Sequence, residues 1–414
     1  MKSTSSANFS IRNKKMKKII PLCILLAASS TIYAETKVEL FGFLDQGVTV
    51  LHENGNLGMQ GPVGQRAPNV LNKDGKVARN GASTRYMEGT GNVSTWGIKG
   101  REDLTKDVAV LFHLEQGFLA DDGAEYIAGK AFERESSLGI ESKTFGTLKM
   151  GRMPAMLTGS GTTGIFNSRV NPFGAGWGNM TGGWKFVGTL AAARHDNMIN
   201  YRSPSFGGLE VHYQYSNGAS SEYEGTSKTN RYMALGFTYT QPKYFIALAG
   251  DWLNVQSANL KAGNWKLKDA YKVLLGGHYK FDSFNLYGTA QYMKNIAYIG
   301  GYSTKEFAPI PASQNNVGKV GINNGFKAWA FSTGTQFNLS GGQVKLSLGY
   351  AFGENQNTSS KNKFSRINGG LGYVYPLSKR TSLYGIGGLF WQHADWQKKN
   401  IHSREFIAGL MHRF

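Results

Sequence analysis

Only one cysteine occurs in the 414-residue chain, Cys23, and it falls within the first 34 residues. Beyond it there is no thiol for a disulfide, a thiolate metal site or cysteine redox chemistry. Long apolar runs are also missing. With 41% hydrophobic residues and a mean hydropathy of −0.33, no stretch after residue 34 reaches the hydropathy of a spanning helix. Acids are few, 27 against 46 Lys and Arg, for a net charge of +19. The bases form no single patch and no recognised motif, so nucleic acid is not an expected partner. The eight histidines are scattered without ligand spacing, so neither a metal nor a cofactor is expected.

Glycine and aromatics are abundant instead. The 54 Gly, 24 Phe, 20 Tyr and 8 Trp stand against only 10 Pro, a balance expected of a β-protein with many turns. At the N-terminus "KKMKKIIPLCILLAASSTIYA" has the pattern of a secretory signal: Lys14, Lys15, Lys17 and Lys18, then an apolar run too short to anchor. Residues 1–34 are therefore expected to be cleaved after Ala34, with Met16 as a second possible start. Cleavage removes six bases and no acid, taking the charge from +19 to +13.

From Val38 onward, apolar and polar residues alternate with period two. In "YKVLLGGHYKF" Tyr271, Val273, Leu275 and Tyr279 share one face, and Lys272, His278 and Lys280 share the other. "QVKLSLGYAF" repeats the arrangement, with Leu346, Leu348 and Tyr350 opposite Lys345 and Ser347. The interruptions are alternately short and long. Seven short turns, at 104–107, 144–146, 205–208, 240–243, 282–284, 340–342 and 376–380, separate eight longer polar segments. This predicts an all-β transmembrane antiparallel barrel of about sixteen strands over residues 35–414, with both chain ends on the short-turn side. Backbone in lipid must satisfy its own hydrogen bonds, so the sheet has to close. "EFIAGLMHRF" ends without a tail and can pair with "VELFGFLDQGV" to do so. A soluble sandwich or propeller also alternates, but needs no strict short/long asymmetry.

The blocks "VELFGFLDQGV", "STWGIKGREDL" with "VAVLFHLEQGF", "RESSLGIESKTFGTLKMGRM", "RHDNMINYRSPSFGGLEVHYQYS" and "GLMHRF" follow one another along the chain. In that order they resemble the Gram-negative general porins, specifically the trimeric type common in β-proteobacteria. The resemblance spans nearly the whole mature chain. It implies a homotrimer in the outer membrane of a Gram-negative bacterium, surrounded by lipid and inserted by the assembly machinery, with Phe414 part of the assembly signal. It also implies that the third long loop, 155–193, folds into the lumen as a constriction loop. The function implied is general diffusion of small hydrophilic solutes and ions.

Residue by residue, the resemblance places the basic wall cluster of the pore on Arg134, Arg152 and Arg194. Strand parity tests this. Ile199 and Tyr201 on the lipid side turn Arg194 and Arg202 inward, and Trp96 and Ile98 do the same for Lys99 and Arg101. Lys149 also points inward. Arg134 shares parity with Leu138 and Ile140, and Arg152 with Leu148 and Met150, which favours the outer face unless a bulge intervenes. Two departures from the family stand out. Thr95 replaces a usual base, and the segment 155–193 carries Arg169 and Lys185 but no Asp or Glu. Uncompensated cations in a confined lumen weigh more than on an open surface. An anion-preferring eyelet is expected, offset in part by acids such as Glu115, Glu210 and Asp196.

Two other classes compete. A barrel enzyme would need a triad-like site. His195 adjoins Asp196 and His113 shares a face with Glu115, but no Gly-x-Ser-x-Gly block accompanies either pair. A substrate-specific channel would present an aromatic track. Trp177 and Trp184 lie in the acid-free segment, where anchoring the loop against the wall is the simpler role.

Overall fold

The computed structural model describes residues 36–54, 80–88, 93–158, 161–175, 177, 183–184, 187–188, 194–218, 231–254, 269–296, 326–356, 363–395 and 400–414. The expected signal segment 1–34, Lys185 and Trp396 lie outside the described residues.

Among the described residues, seventeen strands run in chain order. They are β1 (Thr36–Asn54), β2 (Asn80–Glu88), β3 (Thr95–Asp103), β4 (Val108–Gly117), β5 (Glu135–Ser142) and β6 (Gly146–Pro154). Then come β7 (Arg194–Arg202), β8 (Leu209–Ser216), β9 (Arg231–Thr240), β10 (Tyr244–Asn254), β11 (Ala270–Lys280) and β12 (Phe284–Ile296). The series ends with β13 (Phe326–Leu339), β14 (Gly342–Asn355), β15 (Lys363–Pro376), β16 (Thr381–Ala394) and β17 (Ile401–Arg413). From β3 to β17 each strand pairs antiparallel with its sequence neighbour, β1 pairs with both β2 and β3, and β17 returns to β1 in a register from Phe43↔Arg413 to Asn54↔His402. The sheet is closed.

Seventeen segments fill sixteen positions. The 19-residue β1 pairs with β2 over Gln46–Asn54 and with β3 over Thr36–Phe43, so β2 and β3 share one place in the wall. The seven expected short turns join the seven pairs from β3–β4 to β15–β16; of the eight long connections one precedes these pairs, six separate them and one follows them.

The alternation settles which face is which. Leu235, Phe237, Ile246, Leu248, Val273, Leu275 and Leu348 are all exposed, each flanked by buried residues on the other face. Such a surface is costly in water and suits hydrocarbon. Aromatic rings bound it. Near the short turns Tyr239, Tyr244, Tyr279, Phe281 and Phe284 run in contact, with successive centroids 5.8, 6.5, 4.7 and 4.6 Å apart. Towards the other rim Tyr292, Trp329 and Phe331 do the same at 4.9 and 6.2 Å. These are interfacial girdles.

The terminal Phe414 lies on the outer face with Phe406 and Leu410. Its backbone exchanges two hydrogen bonds with Gly42, at 3.0 and 3.1 Å, so pairing continues to the last residue.

Candidate functional site

The inner face carries glycine, alanine, polar and charged side chains, and the described residues of 155–188 lie against it. The chain leaves β6 at Pro154, where Gln214 of β8 secures the exit. The Gln214 side-chain oxygen accepts from Met156 N at 2.7 Å, and its amide donates to Pro154 O at 3.0 Å. Met156, Leu157, Ile165, Phe166, Val170 and Trp184 then pack with Ala234, Phe245, Ala247, Ala249 and Leu274 of β9–β11 in one buried cluster. Small wall residues leave room for these larger loop side chains.

Further along, the loop reaches β13–β16. Asn171 donates to Ser347 Oγ at 2.7 Å, and Lys345 Nζ donates to Pro172 O at 2.8 Å. Gly334 on β13 allows this approach, because a Cβ there would stand 2.6 Å from the Pro172 ring. Trp177 packs edge-on against Phe173 and Tyr384, with the Lys345 ammonium 5.2 Å from its ring centroid. Trp184 is 1% exposed, and both tryptophans therefore anchor the loop rather than line a track. Trp329 and Trp391 face outward, exposed by 45% and 39%.

The basic residues fall into two groups. On the wall, most are paired. Arg134 Nε meets Glu115 Oε1 at 2.7 Å, and His113 approaches the other oxygen of Glu115 at 3.4 Å. Arg152 bonds Asp196 and the carbonyl of Glu133, and Lys130 joins Asp196 at 3.0 Å. Arg194 donates to Arg134 O at 2.8 Å. Lys149 reaches Glu135 at 3.5 Å, and Thr162 of the loop donates to Glu135 as well. Arg101 binds Glu141 at 2.6 Å and Asp103 at 2.8 Å, and Lys99 binds Glu39 at 3.2 Å. Glu133, in the connection before β5, is fully buried. Burial lifts its carboxyl above the usual range, against the pull of Arg194, Arg134 and Arg152.

The second group lacks such partners. Among the described residues no carboxylate lies within 4 Å of Arg169 or Lys345, and Arg202 touches Glu141 only at 4.0 Å.

Simple alternation misplaces Arg134 and Arg152, which by parity belong to the lipid face. Arg134 precedes the first residue of β5, so strand parity does not govern it. Arg152 sits in a bulge. The β6–β7 register shifts between Gly151 and Met153, with Gly151 at φ 131° and Asn197 at φ 55°. Two steps along β6 there face three along β7, so the additional residue lies on β7, and Arg152 reaches Asp196 across the irregularity. Two acids that pair with wall bases, Glu135 and Glu141, did not stand out in the sequence. Parity alone marks Glu135 and Glu141 as inward. Lys345 was legible in the same way, opposite Leu346 and Leu348.

A closed barrel with a lipid-facing outside, a charged inside and a long internal segment defines an outer-membrane channel. Residues 22–390 match the family model described as Gram-negative porin, and the chain belongs to that family. It is 27% identical to an outer membrane porin protein of Bordetella pertussis, covering 96% of this chain and 100% of that one. It is likewise 27% identical to outer membrane porin protein 32 of Delftia acidovorans, covering 95% of each chain. Among solved structures, the anion-selective porin from Comamonas acidovorans superposes with a TM-score of 0.62 at 21% identity, covering 92% of this chain and 100% of that one. The trimer form of OmpT from Vibrio cholerae gives a TM-score of 0.56 at 12% identity, covering 92% and 99%. The protein is an outer-membrane porin.

Proposed function

We propose that the chain forms an anion-preferring general diffusion pore, assembled as a homotrimer, in which residues 155–193 act as the constriction loop. One observation carries the charge preference. The wall carboxylates Glu115, Glu135, Glu141 and Asp196 are each taken up by a wall base, whereas Arg169 on the acid-free loop and Lys345 beneath it are not. A permeating ion therefore meets net positive charge where the cross-section is smallest, and there screening by bulk solvent is weakest. In this reading Arg169, Lys185, Arg202 and Arg194 supply the field. Arg134 and Arg152, with Lys99, Arg101, Lys149 and Glu115, hold the wall in which it acts.

The trimer is supported by the trimer form of the OmpT relative, and anion preference by the anion-selective Comamonas porin. Residues 1–34 serve as a cleaved signal peptide and Phe414 as part of the assembly signal. No catalytic role is proposed: Glu115 is committed to Arg134, and the His113 ring rests on Phe41 at 5.1 Å.

A reversal potential measured across a planar bilayer under a KCl gradient tests the charge preference. The sign expected is that of a chloride-selective pore, and a potassium-selective sign refutes it. Liposome swelling with neutral sugars of graded size tests generality: rates fall smoothly with size in a diffusion pore, and one favoured sugar contradicts it.

A further inference from the structure

Four charged residues stand side by side on the membrane face of β12–β15. Lys294 of β12 is directly opposite Lys327 of β13, Lys327 opposite Glu354 of β14, and Glu354 opposite Lys363 of β15. Each has the parity of outward residues on its own strand. Lys327 and Glu354 stand two positions from the exposed Trp329 and Phe352, and Lys363 four from the exposed Ile367. Lys294 stands two from Tyr292, whose ring meets Trp329. The row lies at the end of the barrel that carries the long connections, which in an outer-membrane barrel is the external rim.

Like charges directly opposite one another across an antiparallel pair repel, and Lys294 and Lys327 form such a pair. Lys327 has Glu354 at 3.8 Å, an exposed contact worth little by itself. Among the described residues no carboxylate lies within 4 Å of the Lys294 or Lys363 ammonium. Asp395, the other acid at this edge, accepts from the Lys363 backbone N–H at 3.1 Å and lies 3.6 Å from His393. Adjacent strands are about 4.8 Å apart, so Lys363 stands roughly 10–14 Å along the row from the other two lysines. The row thus offers two positive centres, Lys294 with Lys327 and Lys363 alone, with one carboxylate between them.

Towards the membrane centre, Phe331, Tyr350 and Phe352 form a bed of exposed rings beside Trp329. The Phe331–Phe352 and Tyr350–Phe352 centroids are 6.4 and 5.8 Å apart. Lysine stems lie along such a surface while their ammonium groups reach the headgroup layer.

We propose that Lys294, Lys327, Glu354 and Lys363 bind the headgroup of a diphosphorylated glycolipid in the outer leaflet, whose acyl chains lie over the ring bed. One phosphate sits between Lys294 and Lys327 and removes their repulsion. The second reaches Lys363, and a sugar hydroxyl between the two donates to Glu354. A diacyl phospholipid with one phosphate meets only one of the two centres. The site makes no use of the lumen, so it stands or falls independently of the selectivity of the pore.

The test uses the folded mature porin, delipidated in detergent. Native mass spectrometry follows binding of added diphosphoryl lipid A, monophosphoryl lipid A or phosphatidylglycerol. Diphosphoryl lipid A is expected to be retained at the lowest concentration. K294Q and K327Q are each expected to raise the concentration for half-occupancy by both glycolipids about fivefold. K363Q is expected to reduce binding of the diphosphoryl form to that of the monophosphoryl form, which it leaves unchanged. K243Q, in the short turn between β9 and β10 at the opposite rim, is the control and is expected to change nothing. Phosphatidylglycerol binding as tight as that of diphosphoryl lipid A overturns the glycolipid reading. Unchanged binding in folded K294Q and K327Q overturns the site. Equal loss of both glycolipids in K363Q overturns the arrangement of two centres.

Discussion

The phenolic oxygen of Tyr384 donates to Asp45 Oδ1 at 2.7 Å, joining residues 339 positions apart in the sequence. Tyr384 belongs to β16 and Asp45 to β1, and β17 runs between them. The bond passes over Gly409 of β17, where a Cβ would stand 2.3 Å from the tyrosine oxygen. Asp45 N–H in turn donates to Ser94 Oγ at 3.2 Å, where β2 gives way to β3. Three strands at the closure of the barrel are thereby fixed from the inside.

Replacing Tyr384 by Phe removes a hydrogen bond to a buried carboxylate, worth about 1.5–3 kcal/mol. Y384F is expected to unfold at a lower temperature, seen as an earlier loss of the fast-migrating folded band on heating in detergent. G409A is expected to be destabilising as well, and to add little on top of Y384F, since both disturb one contact. An unchanged melting profile for Y384F would remove the staple from the account of closure.

Leu275 faces lipid at the middle of β11, and Ser347 on β14 faces inward. An arginine at position 275 is expected to cost about 2–4 kcal/mol of folding stability in bilayers. One at position 347 is expected to leave folding largely intact but to alter conductance, because it enters the lumen and displaces Asn171. Urea titrations of folding into vesicles, paired with single-channel recordings, separate the two outcomes.

Lys345 combines a charge with a structural bond, donating to Pro172 O at 2.8 Å. K345M removes both, and its reversal potential in a KCl gradient is expected to move towards zero, with noisier open current as the loop loosens. K345R keeps the charge, and its reversal potential is expected to stay near wild type. Identical reversal potentials for K345M and wild type would exclude Lys345 from the selective field.

Asp107, in the turn between β3 and β4, accepts from Ser142 Oγ at 2.7 Å and from Thr144 N and Oγ1 at 3.2 Å. The Ser142 hydroxyl, followed by Thr144, holds its carboxyl below the ordinary carboxylate range. A depressed folded-state pKa means stabilisation that is fully present above the unfolded value and lost as pH falls through the folded one. Hydrogen exchange at Thr144 N–H is expected to speed up only in acid below the usual aspartate range. In D107N that acid-dependent step should disappear, and its persistence would assign it to another group.

The wall could be read in the sequence to a large extent, because a two-sided strand writes its faces directly into alternate residues. Tyr271, Val273 and Leu275 fell outside and Lys272 inside, as the pattern required. Parity failed where the backbone departs from a regular strand. Gly151 and Asn197 break the register of β6 and β7, and Arg152 turns there towards Asp196 instead of outward. Pairing across long separations was equally hidden. Nothing in the neighbourhood of Arg134 or Arg152 announces that Glu115 and Asp196 will neutralise them, because those contacts depend on how the connections fold back. The absence of acids in 155–193, by contrast, is a property of composition and survived intact.

The loop does not sit evenly within the barrel. Among the described residues, its apolar side chains press against β9–β11 and its polar and aromatic contacts reach β13–β16, whereas towards β5 it extends the hydroxyl of Thr162 to Glu135. Among the described residues, loop side chains occupy the lumen beside β9–β11 and β13–β16, and ionised groups line the wall on β3–β8. In the pore proposed above, this asymmetry sends water and solute off the barrel axis along the arc where charge is densest. A permeant ion would follow a curved course beside one wall, governed by the sequence of charges along that arc more than by the diameter of the whole barrel.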